Sequence, residues 1–418
     1  MRGPNKEIHM NNGSMKKVKE LIKKGVDIPG ADNILLGDEV DVKKISAKGV
    51  TIYPGCRIFG QDTVISENTR IGYEAPATIE NCRLGPGVEL RGGFFKGSVF
   101  LERSYMGSGA HVREGCLVEE QAGGAHCVGL KQTILFPFVT LGSLVNFCDC
   151  LMAGGTSRKD HSEVGSSFIH FNFTPDGDKA TPSLIGDVPG GVMLNRPPIF
   201  LGGQGGLVGP ARIGFGNVVA AGSMLRKDFL EENRLIVTKP HRGIVTEFSP
   251  GQYQGLARIV KNNIIYLANL VALEKWYMNI RKPFFTAQEL GGLMFEGALK
   301  TLVTAKKERS NRLSAMVKMI PIPEKKTGRA ETLFRDLHHN IKDICEVFTE
   351  YSPDGLILEL QDEFCGAFER QMEKGPSNYI DAVQSLSAGQ VKAGVEWLNR
   401  IVSDLCMKTG RYVPSVRF

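Results

Sequence analysis

Leu201, Leu207, Ile213, Val219 and Leu225 follow one another at intervals of six residues in the segment LGGQGGLVGPARIGFGNVVAAGSML. A stride of six fits neither the 3.6-residue turn of an α-helix nor the two-residue alternation of a half-buried strand. It fits a β-helix built from hexapeptides. There each short strand sends one aliphatic side chain into a narrow core, and the next strand repeats it. A β-sandwich with Gly-rich turns does not hold that stride through five successive aliphatic residues.

The stride recurs upstream in Ile52, Ile58 and Val64, in Ile65 and Ile71, in Leu84 and Leu90, and in Met106, Val112 and Val118. The phase slips between these runs predict coils that carry insertions or bulges. Gly, Pro and Asn crowd the intervening positions, as in IYPG, LGPG and IGFGN. Tight corners call for small or turn-prone residues there.

The texture changes after LIVTKPHRG. From Gln252 to Cys406 the stride vanishes, and apolar residues recur at three and four, as in LARIVKNNIIYLANLVALEKWYMNI. At 418 residues the chain has room for two or three domains. The pattern divides it into a polar, disordered tail (1–15), a linker helix (16–33), a β-helix (34–242) and a helical domain (243–418). The linker carries the basic amphipathic segment KKVKELIKKG, closed by Gly25 as a C-cap. The last domain is expected to hold four or five helices, broken at IPIPEKKTG and YSPDG. Each coil of a solenoid contacts mainly its neighbours, so residues 30–242 are expected to fold without the helical tail.

No apolar run approaches membrane-spanning length, which argues against a membrane partner. The opening MRGPNKEIHMNNGSM lacks the apolar stretch of a secretory signal, so a cytoplasmic protein is expected. Nine cysteines without framework spacing suit reduced thiols in that compartment. The net charge of +6 owes much to segments such as KTLVTAKKERSNR, read as a solvated helix face, and no nucleic-acid partner is expected.

Several stretches resemble a known family. VKELIKKGVDIPGADNILLGDEVDVKKISAKGVTIYPGCRIFG, HFNFTPDGDKATPSLIGD, FLGGQGGLVGPARIG and VVAAGSMLRKDFLEENRLIV are similar, with gaps, to the acetyltransferase half of bacterial bifunctional N-acetylglucosamine-1-phosphate uridyltransferase/glucosamine-1-phosphate acetyltransferase. The resemblance covers about residues 16–242 and is most specific over 170–237. It includes no counterpart of the uridyltransferase domain, so pyrophosphorylase activity is not expected. The helical tail is foreign to the family.

The resemblance implies a left-handed, three-sided β-helix assembled as a parallel homotrimer. Clefts between subunits would take acetyl-CoA or another acyl-CoA as co-substrate, and a sugar phosphate or nucleotide sugar of UDP-N-acetylglucosamine biosynthesis. Acyl transfer to an amine needs a base for the proton, donors for the oxyanion and cations for the phosphate. The family's base is a histidine about 23 residues before the asparagine that matches Asn172. That count lands on Asp149, so the base is altered. A carboxylate is a poor match for an amine near neutral pH unless burial beside a residue such as Phe147 raises its pKa. His161, on the polar loop TSRKDHSEVG, is the second catalytic candidate. His126 and His170 read as structural hydrogen-bonders.

The resemblance assigns substrate binding to Arg113, Lys131, Asn172 and Lys179, and coenzyme binding to Ala221, Gly222 and Lys239. Gly203 stands where the family has a serine that helps hold the acyl donor. Cys148 and Cys150 lack a second Cys/His pair at metal-site spacing, and no metal is expected. Two function classes follow. One is a transferase-like protein with altered catalytic residues. The other is a non-catalytic trimeric scaffold whose helical domain docks a protein partner or packs against the prism. Residues 188–199, VPGGVMLNRPPI, read as an inserted loop that reaches over a neighbour's cleft.

Overall fold

The structure is a computed structural model that describes residues 12–174, 177–239, 243, 245–247, 253, 255–320, 329–373 and 375–418. The first eleven residues, 240–242 of the KPHRG segment and 321–328 of the IPIPEKKTG segment lie outside the described residues.

Residues 35–236 wind into a left-handed parallel β-helix of about 11 turns. Its strands form three faces. Face one runs through ten strands from Thr51–Ile52 to Leu235–Ile236, and face two through ten from Leu35–Leu36 to Met224–Leu225. Face three has eight, from Val64–Ile65 to Arg212–Ile213. Six residues carry the chain from one face to the next. Leu201, Leu207, Ile213, Val219 and Leu225 therefore fall on faces one, two, three, one and two, and all are buried. The phase slips come from material extruded at the edges. A short antiparallel hairpin pairs Gly155–Ser157 with Asp160–His161, and a helical turn, α2, spans Val188–Gly191. Corner residues adopt positive φ on many coils, Asn68, Asn81, Gln121 and Asp149 among them. Short polar side chains tolerate that left-handed conformation best.

The amphipathic N-terminal helix starts earlier than its sequence pattern suggests. It is α1, Asn12–Lys24, and Gly25 follows at φ +114° as the expected C-cap. It serves as a lid on the first coil. Val18 and Leu21 are fully buried, Ser14 Oγ accepts from the Leu36 N–H at 2.9 Å, and Lys17 Nζ donates to the Gly37 and Val40 carbonyls.

The helical region comprises α3 (Leu256–Trp276), a π-helical turn (Tyr277–Arg281), α4 (Lys282–Thr286), α5 (Gly291–Met319), α6 (Arg329–Thr349), α7 (Gly355–Met372), α8 (Tyr379–Gln384) and α9 (Ala388–Gly410). That is more elements than the four or five expected, because short helical pieces join the long ones. The stretch Leu256–Thr286 is long and apolar enough to cross a membrane, yet 72% of its apolar window is buried inside this fold.

These helices cover face three, and the reason lies in the strands. Register pairs Val64, Arg83, Val99, Leu117, Ile134, Leu151, Leu184 and Arg212 into one column beside the inward column. The six aliphatic members are all no more than 3% exposed. Each such side chain is worth about 1.5–3 kcal/mol when taken out of water. The equivalent column of face one is largely polar, with Thr51, Arg70, Glu89, Tyr105 and Thr140. Polar stitches secure the layer at the irregular edges. Asn263 Nδ2 donates to the Ala180 carbonyl at 3.0 Å, Asn262 Nδ2 to Asp228 at 2.8 Å, and the Val188 N–H to Asn269 Oδ1 at 2.9 Å. The inserted loop 188–199 thus packs beneath its own chain's helices, with Val188, Met193 and Ile199 fully buried.

The KTLVTAKKERSNR segment also departs from its reading as a solvated face. Lys306 and Arg309 are 7% and 3% exposed, and Lys306 Nζ lies 2.6 Å from Glu274. A second buried cation, Arg281 on the π-helical turn, meets Glu119 at 3.2 Å and pairs with Glu120, while Tyr277 donates to Glu119. The Tyr379 ring lies 3.9 Å from the guanidinium. Two carboxylates share one cation here, and burial pushes Glu119 up to about 7. Removing one partner of a buried pair strands the other, at a cost of about 3–5 kcal/mol. Arg281→Ala should lose about that much in urea unfolding.

The pH dependence has a definite sign. Glu119 has a folded pKa above its ordinary 4.5, so its stabilising contribution is complete below 4.5 and is lost as pH rises through about 7. Buried His170, pushed down to about 4, acts in the opposite sense. It is common to both proteins in a comparison of wild type with Glu119→Gln. The stability difference, wild type minus variant, should therefore fall between pH 5 and pH 8, and a flat difference would contradict the assignment.

Candidate functional site

The prism has three edges, and the residues singled out from sequence distribute over all of them. The edge between faces two and three gathers Arg113, Lys131, Asp149, Asn172 and Lys179. Register pairs Val112 with Phe95 and Leu130, and Lys131 with Cys148. One residue further along, Lys96, Arg113 and Lys131 stand in one outward column on successive coils, about 4.8 Å apart. Lys96 is tied to Glu80 at 2.9 Å. Arg113 is exposed and Lys131 half-buried. Their charges lower the neighbouring Cys148 thiol, but burial outweighs them and pushes it up overall.

Asp149 sits at the corner of that edge with φ +61° and is 3% exposed. Its Oδ1 meets Arg309 Nη2 of α5 at 2.8 Å, and its Oδ2 accepts from Asn172 Nδ2 at 3.3 Å. Arg309 Nη1 also reaches the Lys179 carbonyl at 3.5 Å. The helical layer thus brings one buried guanidinium to the point where the chain leaves face two. It ties together Asp149, Asn172 and the loop that carries Lys179. Sequence reading missed Arg309 because its segment looks like an exposed basic run. The available signal is its spacing from Lys306, Ala305, Leu302 and Ala298, the buried stripe of α5.

Phe147 and His170 point into the prism beside this corner, with ring centroids 6.5 Å apart. His170 Nε2 shares a hydrogen bond with Ser183 Oγ at 2.8 Å, and burial holds the imidazole neutral. Cys150 Sγ lies 3.4 Å from the Cys148 carbonyl, and among the described residues no group of three or more His, Cys, Asp and Glu side chains is placed to hold a metal ion.

His161 lies on a different edge, between faces three and one, at the end of the extruded hairpin. Arg158 pins that hairpin to face one, donating to the Phe138 carbonyl and to Thr140 Oγ1, with Nη2 at 3.0 Å from Tyr105 Oη. His161 Nδ1 is buried with no hydrogen-bond partner among the described residues. Ala221, Gly222 and Lys239 occupy the third edge, between faces one and two, and all three are exposed. His126 is on that edge too, with Nδ1 2.9 Å from Ser143 Oγ. Within one chain, then, Arg113, Lys131, Asn172 and Lys179 share an edge with Asp149. His161 and the set Ala221, Gly222 and Lys239 stand on the other two edges.

Exposed apolar residues flank the edge of Ala221 and Gly222 at its C-terminal end. Ile169 and Phe171 lie on face two, and Phe200, Val218 and Leu235 on face one.

No family model matches the chain. Over about half its length it is similar to bifunctional GlmU proteins, in their C-terminal acetyltransferase part. Identity to GlmU of Thermotoga maritima is 29% over 218 residues, covering 51% of this chain and 42% of that protein. Identity to GlmU of Clavibacter sepedonicus is 26% over 206 residues, covering 49% and 38%. Identity to that of Acinetobacter baumannii is 28% over 211 residues, covering 46% and 42%. The chain therefore spans well under two thirds of the length of these relatives. Among solved structures, UDP-N-acetylglucosamine acyltransferase from Campylobacter jejuni aligns at 14% identity and a TM-score of 0.17, over 49% of this chain and 67% of that one.

The Arg309–Asp149 pair makes a prediction of its own. Asp149→Ala strands a buried guanidinium and should cost about 3–5 kcal/mol in urea unfolding. Adding Arg309→Met to that variant should restore a large part of the loss. A single variant as stable as wild type would show that the pair does not hold the corner.

Proposed function

We propose that this protein is a hexapeptide-type, transferase-like protein of UDP-N-acetylglucosamine metabolism, acting in the cytoplasm. It binds a sugar phosphate or nucleotide sugar and an acyl-CoA in clefts between the subunits of a homotrimer. The observation that carries this reading is the similarity of the β-helical half to the acetyltransferase part of GlmU. The column of Lys96, Arg113 and Lys131 supports it, because placed cations are what phosphate recognition requires.

The trimer is part of the reading for a geometric reason. Face two separates the substrate edge from the coenzyme edge within one chain, so the two sets can meet only if neighbouring prisms face one another. Face three is covered by the chain's own helices, which leaves faces one and two for that contact. The apolar residues Ile169, Phe171, Phe200 and Val218 flank the intervening edge, where an assembled subunit would bury them.

The base of the relatives is altered here. Asp149 is committed to Arg309, and its role in this reading is to orient Asn172 toward the ligand. His161 is then the group to take the amine proton, since imidazole suits proton transfer near neutral pH. It stands on its own edge, so turnover is expected to be slow relative to binding. No metal enters this chemistry.

The alternative is a non-catalytic trimeric scaffold or binding protein. The observation in its favour is the same buried pair, which takes Asp149 out of reach of solvent. Titration calorimetry with acetyl-CoA, an acetyl-transfer assay on glucosamine 1-phosphate and light scattering together decide between them. Acetyl-CoA should bind, and Lys239→Ala should weaken it about tenfold, the worth of one charge-assisted hydrogen bond. Transfer should be slow and should drop further in His161→Ala, and the mass should be that of three chains. Absence of binding would leave the scaffold, and a monomer at micromolar concentration would end the intersubunit cleft.

A further inference from the structure

A cleft of 720 Å³ opens between α5 and the N-terminal coils, on the edge where faces two and three meet. It lies several coils away from Asp149 and is walled on one side by the helical layer. The coil side supplies Gln61, Asp62, Asn81 and Glu114, and α5 supplies Thr301 and Thr304. Phe59 is half-buried at the rim and presents an aromatic surface.

Arg83, 6% exposed, forms the floor. Its guanidinium donates to the Leu293 carbonyl and lies 3.7 Å from Glu296. A side chain at Gly297 would collide with it, since a Cβ there would come within 2.2 Å of Arg83 Cδ. α5 is therefore shaped around that arginine, and the cleft is a built feature of the contact between helix and prism.

Part of the cleft's charge is satisfied from within. Asp62 meets Lys300 at 2.7 Å and Glu80 meets Lys96 at 2.9 Å. Glu39 accepts from the Gly60 N–H at 2.7 Å, and Asn81 Oδ1 accepts from the Asp62 N–H at 3.1 Å. A strongly charged ligand would have to compete with these pairs. What the cleft still presents is the carboxylates of Glu39 and Glu114, the second oxygens of the paired ones, amide groups and threonine hydroxyls, beside an aromatic ring, a lining that accepts hydrogen bonds from hydroxyl groups and repels a phosphate. Because Asp62, Asn81 and Glu114 sit on different coils of one edge, those groups recur along the prism axis at about 4.8 Å per coil. Hydroxyl groups spaced along a ring, with apolar C–H faces between them, match that pattern.

We propose that this cleft is a separate site for an uncharged saccharide of one or two rings, lying along the edge against α5. The site makes no use of acyl-CoA, and it meets the phosphate-handling column only at Lys96, which is tied to Glu80, so its test is separate from that of the transferase reading.

Titration calorimetry of the full chain with N-acetylglucosamine, cellobiose and maltose tests it, with glucosamine 1-phosphate as the charged comparison. At least one of the uncharged sugars should bind with a Kd near 1 mM, a typical scale for a small ligand held by a few hydrogen bonds (about 4 kcal/mol). Thr304→Trp projects a ring into the cleft from an exposed position of α5 and should weaken that binding more than about tenfold, a loss of at least about 1.4 kcal/mol. Gln61→Ala, an exposed corner change that leaves the core untouched, should weaken it about three- to tenfold by removing one hydrogen bond. Acetyl-CoA binding should be the same in wild type and both variants. The proposal is overturned if none of the three sugars binds at about fifty times that Kd. It is overturned equally if Gln61→Ala and a folded Thr304→Trp bind as wild type does, or if only glucosamine 1-phosphate binds.

Discussion

A three-sided β-helix is stable only if each of its outer faces meets something it matches, and here the third face matches nothing but another apolar surface. Most of its strands place an aliphatic side chain inward and another outward, with Arg83 and Arg212 the exceptions, so six of the eight outward positions are as water-averse as the core. The helical layer exists to cover that column. Once it does, α3 and α5 lie along the prism, and backbone groups at the irregular edges need partners inside the contact. The three buried asparagines of α3 supply them. Arg281 and Arg309 bring charge into the same interface, where each is stabilised only because coil carboxylates stand opposite.

That arrangement decides which parts of the prism remain for function. The edge between faces two and three is shared with α5, so it becomes a groove rather than an open corner. One end of the groove is the cleft floored by Arg83. The other is the corner where Arg309 holds Asp149, near the exposed Arg113 and the half-buried Lys131. Faces one and two stay open, with their apolar patch near the edge of Ala221 and Gly222. The layer of helices thus works as a selector. It closes one face and builds a wall along the adjoining edge, and leaves two faces open.

Much of this was legible in the residues. The six-residue stride maps directly onto successive faces, and the loss of that stride after residue 237 marks where the solenoid ends. The cover over face three leaves a trace in the apolar doublets Val99–Phe100, Leu117–Val118 and Ile134–Leu135, but face one carries Phe200–Leu201, Val218–Val219 and Leu235–Ile236 as well, so doublets alone do not single out the covered face. Other features were not legible. Lys306 and Arg309 look like a solvated run because the acids that bury them are about 30 and 160 residues away in sequence. The spacing back from Asn172 leads to Asp149, and the two do touch, but nothing local reveals that a helix reaches that corner. The placement of the site residues on three separate edges follows from the lengths of extruded loops, which no periodicity encodes.

The central claim is that prism and helices are one cooperative unit with face three as their common core. Both tryptophans, Trp276 and Trp397, lie in the helical layer, with ring centroids 6.4 Å apart, so their fluorescence reports that layer alone. Hydrogen exchange of the strands between residues 99 and 152 reports the prism. Followed through one urea titration, the two signals should share a single midpoint, because loss of the helices exposes a full column of aliphatic side chains. Fluorescence that changes at clearly lower urea, with coil strands still protected, would contradict the account and make the helices an appendage.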